Sequence, residues 1–285
     1  MDLAVETGRF LEDYGLVATS LEKSVAAFTQ SSTSSWFQVG GIKSNKLVRT
    51  VTKADDAICF LAEFTPPVVK HVLVALNDDW SLFLCNRTAG SFADDAFRLA
   101  RRLKVPVYRV ADTPSRIWKR DALREVMSYE ARIFISYDAE GKITKSVSAA
   151  QDGDRWVWES TGPRYAIEET FDYSAKGKRY RFTSDNLRSL LRSLSAPVAC
   201  VEDVLKASKL ALIKAPGKSQ TVITRKQLDD PAFGYYQRGM GWVPYIQTHA
   251  PSVIHDFEKA ILINPEYEPK VRDYLKEAHR IVARG

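Results

Sequence analysis

The sequence predicts an α+β fold: a mixed sheet with one βαβ crossover and one antiparallel meander, flanked by helices, plus a small C-terminal helical region. Three observations carry that expectation. An apolar run, an amphipathic helix and a second apolar run succeed one another from Trp80 to Val110, the size of a right-handed crossover unit that brings two parallel strands together. Three short runs separated by turn residues follow from Ala131 to Ser160 and read as a meander. Two helical stretches interrupted by Asn264–Pro265 close the chain as an αα-hairpin, because proline ends the first of them.

Taken in order, Phe10, Tyr14, Val17, Leu21, Val25 and Phe28 recur at helical spacing, so an amphipathic helix is expected from Leu3 to Phe28. The polar tract Gln30–Ser35 ends it. Strand-like runs follow at Trp36–Gly40, Leu47–Lys53 and Ala57–Phe64, the last apolar on both faces and so expected at the centre of the sheet. Trp80–Asn86 is the next strand, and Ser91 with Asp94 three residues on marks the start of a helix packing through Phe92, Ala96, Leu99, Ala100 and Leu103. Val105–Val110 is a strand, Ser115–Met127 a helix and Lys178–Phe182 a strand. Thr183 caps a helix running through Leu194 that packs through Leu187, Leu190, Leu191 and Leu194. The resulting division is an N-terminal helix over 1–30, a mixed α/β core over 31–196, and a mainly helical region over 197–285 holding an aromatic, glycine-rich loop.

Phe257–Glu258–Lys259–Ala260–Ile261–Leu262–Ile263–Asn264–Pro265 resembles the end of a tetratricopeptide repeat followed by the first helix of the next. No second copy stands at the repeat spacing of about 34 residues, and a solenoid needs several stacked repeats to bury its faces.

With 285 residues, 45% of them hydrophobic, the chain can bury a core without disulfides. Cys59, Cys85 and Cys200 are widely spaced, the opening residues are acidic, and no apolar run reaches membrane-spanning length. Cytoplasmic location and no membrane partner are the expectations. The net charge of +6 is concentrated: residues 98–124 hold nine cations against two acids. Arg98, Arg101, Arg102, Arg109, Arg116, Lys119 and Arg120 are therefore candidate anion-binding residues, suited to nucleic acid or a phosphate ligand.

Residues that carry chemistry are sparse. His71, His249, His255 and His279 include no pair three or four apart, and no Cys-x-x-Cys occurs, so no metal site and no cofactor are expected. Asp152 and Asp154 suit a hairpin turn, and the adjacent Glu168 and Glu169 read as solvated. Thr88–Ala89–Gly90 before the Ser91 helix, with Asp112 after the next strand, has one glycine where a dinucleotide fingerprint has three. No nucleophile elbow or Ser-x-x-Lys is present.

Two constellations suit recognition. Strand alternation would set Arg179 and Arg181 on one face and Tyr180 and Phe182 on the other, near Trp156 and Trp158. Phe233, Tyr235, Tyr236, Arg238, Trp242 and Tyr245 fill the glycine-rich segment with side chains that dominate interface energies, and are the candidate partner-binding residues. The leading expectation is a non-enzymatic protein-interaction module, an inhibitor or immunity-type binder whose partner is another protein. Nucleic-acid or phosphate-ligand binding through Arg98–Arg124 is the first alternative, and an enzyme with a dispersed site the second.

Overall fold

The computed structural model describes residues 13–31, 47–51, 70–85, 89–120, 123–197, 210–214 and 230–284. Its strands are β1 (Asp13–Val17), β2 (Leu47–Val51), β3 (Lys70–Ala75), β4 (Ser81–Cys85), β5 (Val107–Thr113), β6 (Arg116–Arg120), β7 (Leu123–Ser128), β8 (Ala131–Tyr137), β9 (Ile143–Asp152), β10 (Arg155–Thr161) and β11 (Leu210–Lys214). Its helices are α1 (Leu21–Ser31), α2 (Ala89–Leu103), α3 (Lys178–Arg181), α4 (Ser184–Ser193), α5 (Pro231–Trp242), α6 (Ile246–Ile263) and α7 (Glu268–Val282). Among the described residues, nine strands form one sheet in the order β10-β9-β8-β5-β1-β4-β3-β11-β2, and β6 and β7 make a separate hairpin.

Side chains alternate across the central strands and feed two cores. Tyr14, Leu16, Val72, Val74, Leu82, Leu84, Tyr108, Val110 and Phe134 face one side, where they meet Phe171, Phe182 and Leu187, Leu190 and Leu191 of α4, together with Phe233, Ala260 and Tyr267 from the C-terminal helices. Val17, Leu73, Phe83, Cys85 and Val107 face the other, under Leu21, Ala27 and Phe28 of α1 and Ala96, Leu99 and Ala100 of α2. A sheet covered on both faces explains why every residue of β4 is buried, and why such strands read as continuous apolar runs. Residues on both sides of position 196 share the first core, and β11 lies in the same sheet. A third cluster joins α6 to α7 through Val253, Phe257, Val271 and Ala278. No described helix is long and apolar enough to cross a membrane.

The α+β architecture, the β8–β9–β10 meander, the Thr183-capped helix and the C-terminal helix pair match the sequence expectation. The crossover is present in altered form. β4 and β5 run parallel, joined by α2, but β1 lies between them and pairs antiparallel with both, Gly15 opposite Phe83 and Leu16 opposite Tyr108. All paired strands among the described residues are therefore antiparallel, and the expected adjacent parallel pair is absent among them. The slot filled by β1 was hidden because the sequence reading placed residues 13–17 in a helix. Tyr14 and Val17 share helical spacing but point to opposite faces of the sheet, and five residues are too few to separate a 3.6 period from a 2.0 period. Ser115–Met127, expected as a helix, is the β6–β7 hairpin, where local strand pairing overrides the helix propensity of Ala, Leu, Arg and Glu. The strands expected at Trp36–Gly40 and Ala57–Phe64 lie outside the described residues.

Gly15 is where β1 and β4 approach most tightly: a Cβ there would stand 1.8 Å from Phe83 Cε1. Phe83 is fully buried and has no room to retreat. Gly15→Ala is expected to destabilise the chain by about 1–3 kcal/mol, the usual penalty of overpacking. Urea unfolding would show this as a lower midpoint with an unchanged slope.

Candidate functional site

The aromatic, glycine-rich segment is helical, not a loop. Asp230 caps α5 by accepting from the Ala232 N–H at 2.9 Å, with Pro231 in the first turn, where its missing N–H does no harm. A Cβ on Gly239 would lie 2.4 Å from Phe257 Cε1, so this glycine serves the close approach of α5 to α6. The six candidate partner-binding residues divide accordingly. Phe233 is buried in the sheet core, Tyr236 packs its ring 4.9 Å from that of Tyr267, and Trp242 stacks on His249 at 4.7 Å. Arg238 lies over the Tyr235 ring and donates from Nε at 2.8 Å to each oxygen of buried Asp256, with Nη2 also on that carboxylate. Tyr245 is exposed.

The basic segment is also divided. Arg98, Arg101 and Arg102 stand exposed along α2. Arg109 is buried on β5 and donates from Nε and Nη2 to the two oxygens of Asp13 at 3.0 and 2.7 Å. Burial alone would lower its pKa, yet the hydrogen-bonded carboxylate raises it, so this cation is a structural fork holding β5 to β1. Arg116, Lys119 and Arg120 lie on β6, and their side chains are outside the described residues. Asp112 accepts from the Ser184 hydroxyl at 2.7 Å and stands 3.7 Å from Arg132 Nε, which ties β5 to α4.

The cationic and aromatic groups converge instead around β10. Lys178–Arg181 is one helical turn, α3, not a strand, so the expected two-faced alternation does not form. Five residues cannot declare their own period, and here tertiary contacts decide it. Arg179 lies over Trp156 at 5.6 Å and over Tyr180 at 5.2 Å, Arg181 over Trp158 at 5.2 Å, and Phe182 drops into the core. Arg132 meets Trp156 at 5.8 Å, Arg164 covers Tyr173 at 5.0 Å, and the rings of Trp158 and Tyr173 are 5.4 Å apart. The product is a ladder of two runs, Arg132–Trp156–Arg179–Tyr180 and Arg181–Trp158–Tyr173–Arg164, each cation–ring contact worth about 0.5–1 kcal/mol where exposed. Arg181 is pinned from beneath, donating from Nε to the Ala175 carbonyl at 2.9 Å.

A buried ion pair underlies the ladder. Lys145 of β9 and Glu168 of the 3-10 turn Ala166–Thr170 meet at 2.8 Å with almost no exposure of either side chain. The Tyr173 hydroxyl donates to the same Glu168 oxygen at 2.7 Å, and the Tyr165 N–H donates to the other at 2.9 Å. Burial raises the Tyr173 pKa, and the Glu168 carboxylate adds to that rise. Glu168 is thus not the solvated residue the sequence suggested, whereas Glu169 is exposed. In a 3-10 turn adjacent residues diverge, and the lysine that neutralises Glu168 is 23 positions away in the chain. Lys145→Met is expected to destabilise the protein by about 3–5 kcal/mol, because it strands a buried carboxylate. Adding Glu168→Gln, which keeps the acceptor and removes the charge, should recover most of that loss in urea unfolding.

A second group escaped sequence reasoning altogether. His71 and Cys85 sit opposite one another on β3 and β4, and Asp95 of α2 comes down over them. His71 Nε2 is 2.9 Å from Asp95 Oδ2, the Cys85 thiol donates to the same oxygen at 3.8 Å, and the Phe28 ring packs 4.6 Å from the imidazole. Burial would push the His71 pKa down, but the neighbouring Cys85 and Asp95 together raise it to about 10. The imidazole and the thiol both reach Asp95 Oδ2, and the imidazole also interacts with Cys85, so the three groups are in mutual contact. The spacings of 14 and 10 residues match no metal or catalytic motif, which is why the sequence carried no signal.

No family model matches the chain, and neither the curated proteins nor the solved structures contain a match to it. Any functional reading therefore rests on side-chain geometry and physical chemistry.

Proposed function

We propose that this protein is a non-enzymatic interaction module of the cytoplasm that takes an extended, acidic segment of a partner protein along the outer edge of β10. The observation supporting this reading is an edge strand beside a short cationic segment, of which Arg179 also meets Glu130 at 3.6 Å. β10 ends the sheet and pairs only with β9 among the described strands, and none of its seven residues is buried. Such an edge presents main-chain donors and acceptors to an incoming strand. Beside it, residues 176–181 hold Lys176, Lys178, Arg179 and Arg181 with no acid, and the first three are exposed together with Tyr180 at 60%. Stacking on Trp156 and Trp158 holds Arg179 and Arg181 in place before a partner arrives, which lowers the entropy lost on binding. The adjacent cations favour acidic side chains on that partner and would speed encounter.

This reading moves the recognition surface from Phe233–Tyr245, most of which is engaged within the fold, to the other aromatic and cationic group seen in the sequence. It is tested with a fluorescent ten-residue peptide alternating glutamate with valine or threonine, and with a single-stranded oligonucleotide of equal length. Peptide binding that weakens about tenfold in Lys176→Glu/Lys178→Glu is expected, a change equivalent to about 1.4 kcal/mol. Preferential oligonucleotide binding, or peptide binding unaffected by the charge reversal, would overturn it.

A further inference from the structure

We propose that His71, Cys85 and Asp95 form a binding site for one divalent transition-metal ion, with zinc the ion that their chemistry suits best. This is the one group of three such side chains among the described residues whose ligand atoms converge, all within 4.8 Å of one another. Tetrahedral zinc, bound at the usual nitrogen, oxygen and sulfur distances, sets its ligand atoms about 3.3–3.6 Å apart. The His71–Asp95 separation of 2.9 Å would have to open slightly and the Cys85–Asp95 separation of 3.8 Å to close slightly, with the His71–Cys85 pair, also within 4.8 Å, brought into the same range. These changes lie within the reach of side-chain rotation.

The supports are rigid. His71 and Cys85 are in direct register on neighbouring strands near the middle of the sheet, and α2, which delivers Asp95, is fastened to the same face by Ala96, Leu99 and Ala100. A site built on regular elements holds its geometry better than one on loops. Phe28 packs against the imidazole and restricts its rotation.

Charge balance favours a divalent ion. A thiolate and a carboxylate carry two negative charges into a nearly dry environment, a neutral imidazole adds none, and one divalent cation brings the total to zero. Binding would displace both the thiol proton and the imidazolium proton, leaving the metal in place of the hydrogen bonds that converge on Asp95. The mixed sulfur, nitrogen and oxygen set selects against magnesium and calcium, which prefer oxygen alone. Three protein ligands leave one position of a tetrahedron to water or another donor.

The test uses the full 285-residue chain, stripped with a chelator under reducing conditions and titrated with cobalt(II), then zinc(II). One equivalent of cobalt is expected to give the intense visible bands of a tetrahedral centre and a near-ultraviolet thiolate charge-transfer band, both bleached by zinc. Cys85→Ser should abolish the charge-transfer band, and Asp95→Asn should weaken zinc binding by more than about tenfold, since loss of a ligand costs at least as much as loss of an outer-shell partner. Circular dichroism checks that each variant folds. Alkylation mass spectrometry of the unmodified chain provides a readout without substitution, with zinc expected to protect Cys85. Absence of a tetrahedral spectrum, a charge-transfer band that persists in folded Cys85→Ser, or zinc protection confined to Cys59 or Cys200 would overturn the proposal.

Discussion

The central strands are buried on both faces, and this governs which side chains they can carry. Because β1, β3, β4 and β5 lose both surfaces to helices, their side chains must be apolar on either side or paired when they are not. The polar groups that remain there are therefore organised: Arg109 by Asp13, Ser24 by Ser81 at 2.7 Å between hydroxyls, and His71 by Asp95. Each crosses between elements far apart in the chain, so each also fixes how a strand or helix sits on its neighbour.

The two helical layers differ in what they leave at the surface. On one face α1 and α2 close over Phe83 and Leu73, and the polar group they enclose is the compact one around Asp95. The opposite face extends further along the sheet, past β8 to β10, where the covering chain thins to a 3-10 turn and one turn of helix. Trp156 and Trp158 are only partly covered there, and arginines from two separate segments, Arg132 of β8 and Arg179 and Arg181 of α3, complete their enclosure. Guanidinium planes can do this because they stack on rings while keeping their edges hydrated. The Lys145–Glu168 pair beneath anchors the 3-10 turn to β9, and so indirectly sets the position of Tyr173 in the ladder.

Where sequence reasoning succeeded, the pattern was long or chemically marked. Fifteen residues of α2 display one apolar face, Thr183 and Asn186 form a reciprocal cap, and Asn264–Pro265 ends α6. It failed on short segments whose conformation is chosen by neighbours: Asp13–Val17, Lys178–Arg181 and Arg116–Ser128. Phe233–Trp242 failed for a different reason. Its glycines suggested a loop, yet Gly239 is there so that Phe257 can press against the α5 backbone.

The α+β class, the antiparallel meander and the location of the apolar runs are legible in the residues alone, because they follow from side-chain periodicity and turn chemistry within a few positions. Long-range packing sets the rest: β1 separates the two strands of the crossover, Arg109 is an internal fork rather than a surface charge, and Lys145 neutralises Glu168. It alone brought His71, Cys85 and Asp95 together. The physical reason is common to all of these: pairing across a sheet and packing of a helix onto it join residues with no fixed sequence separation, and no local pattern records such a meeting.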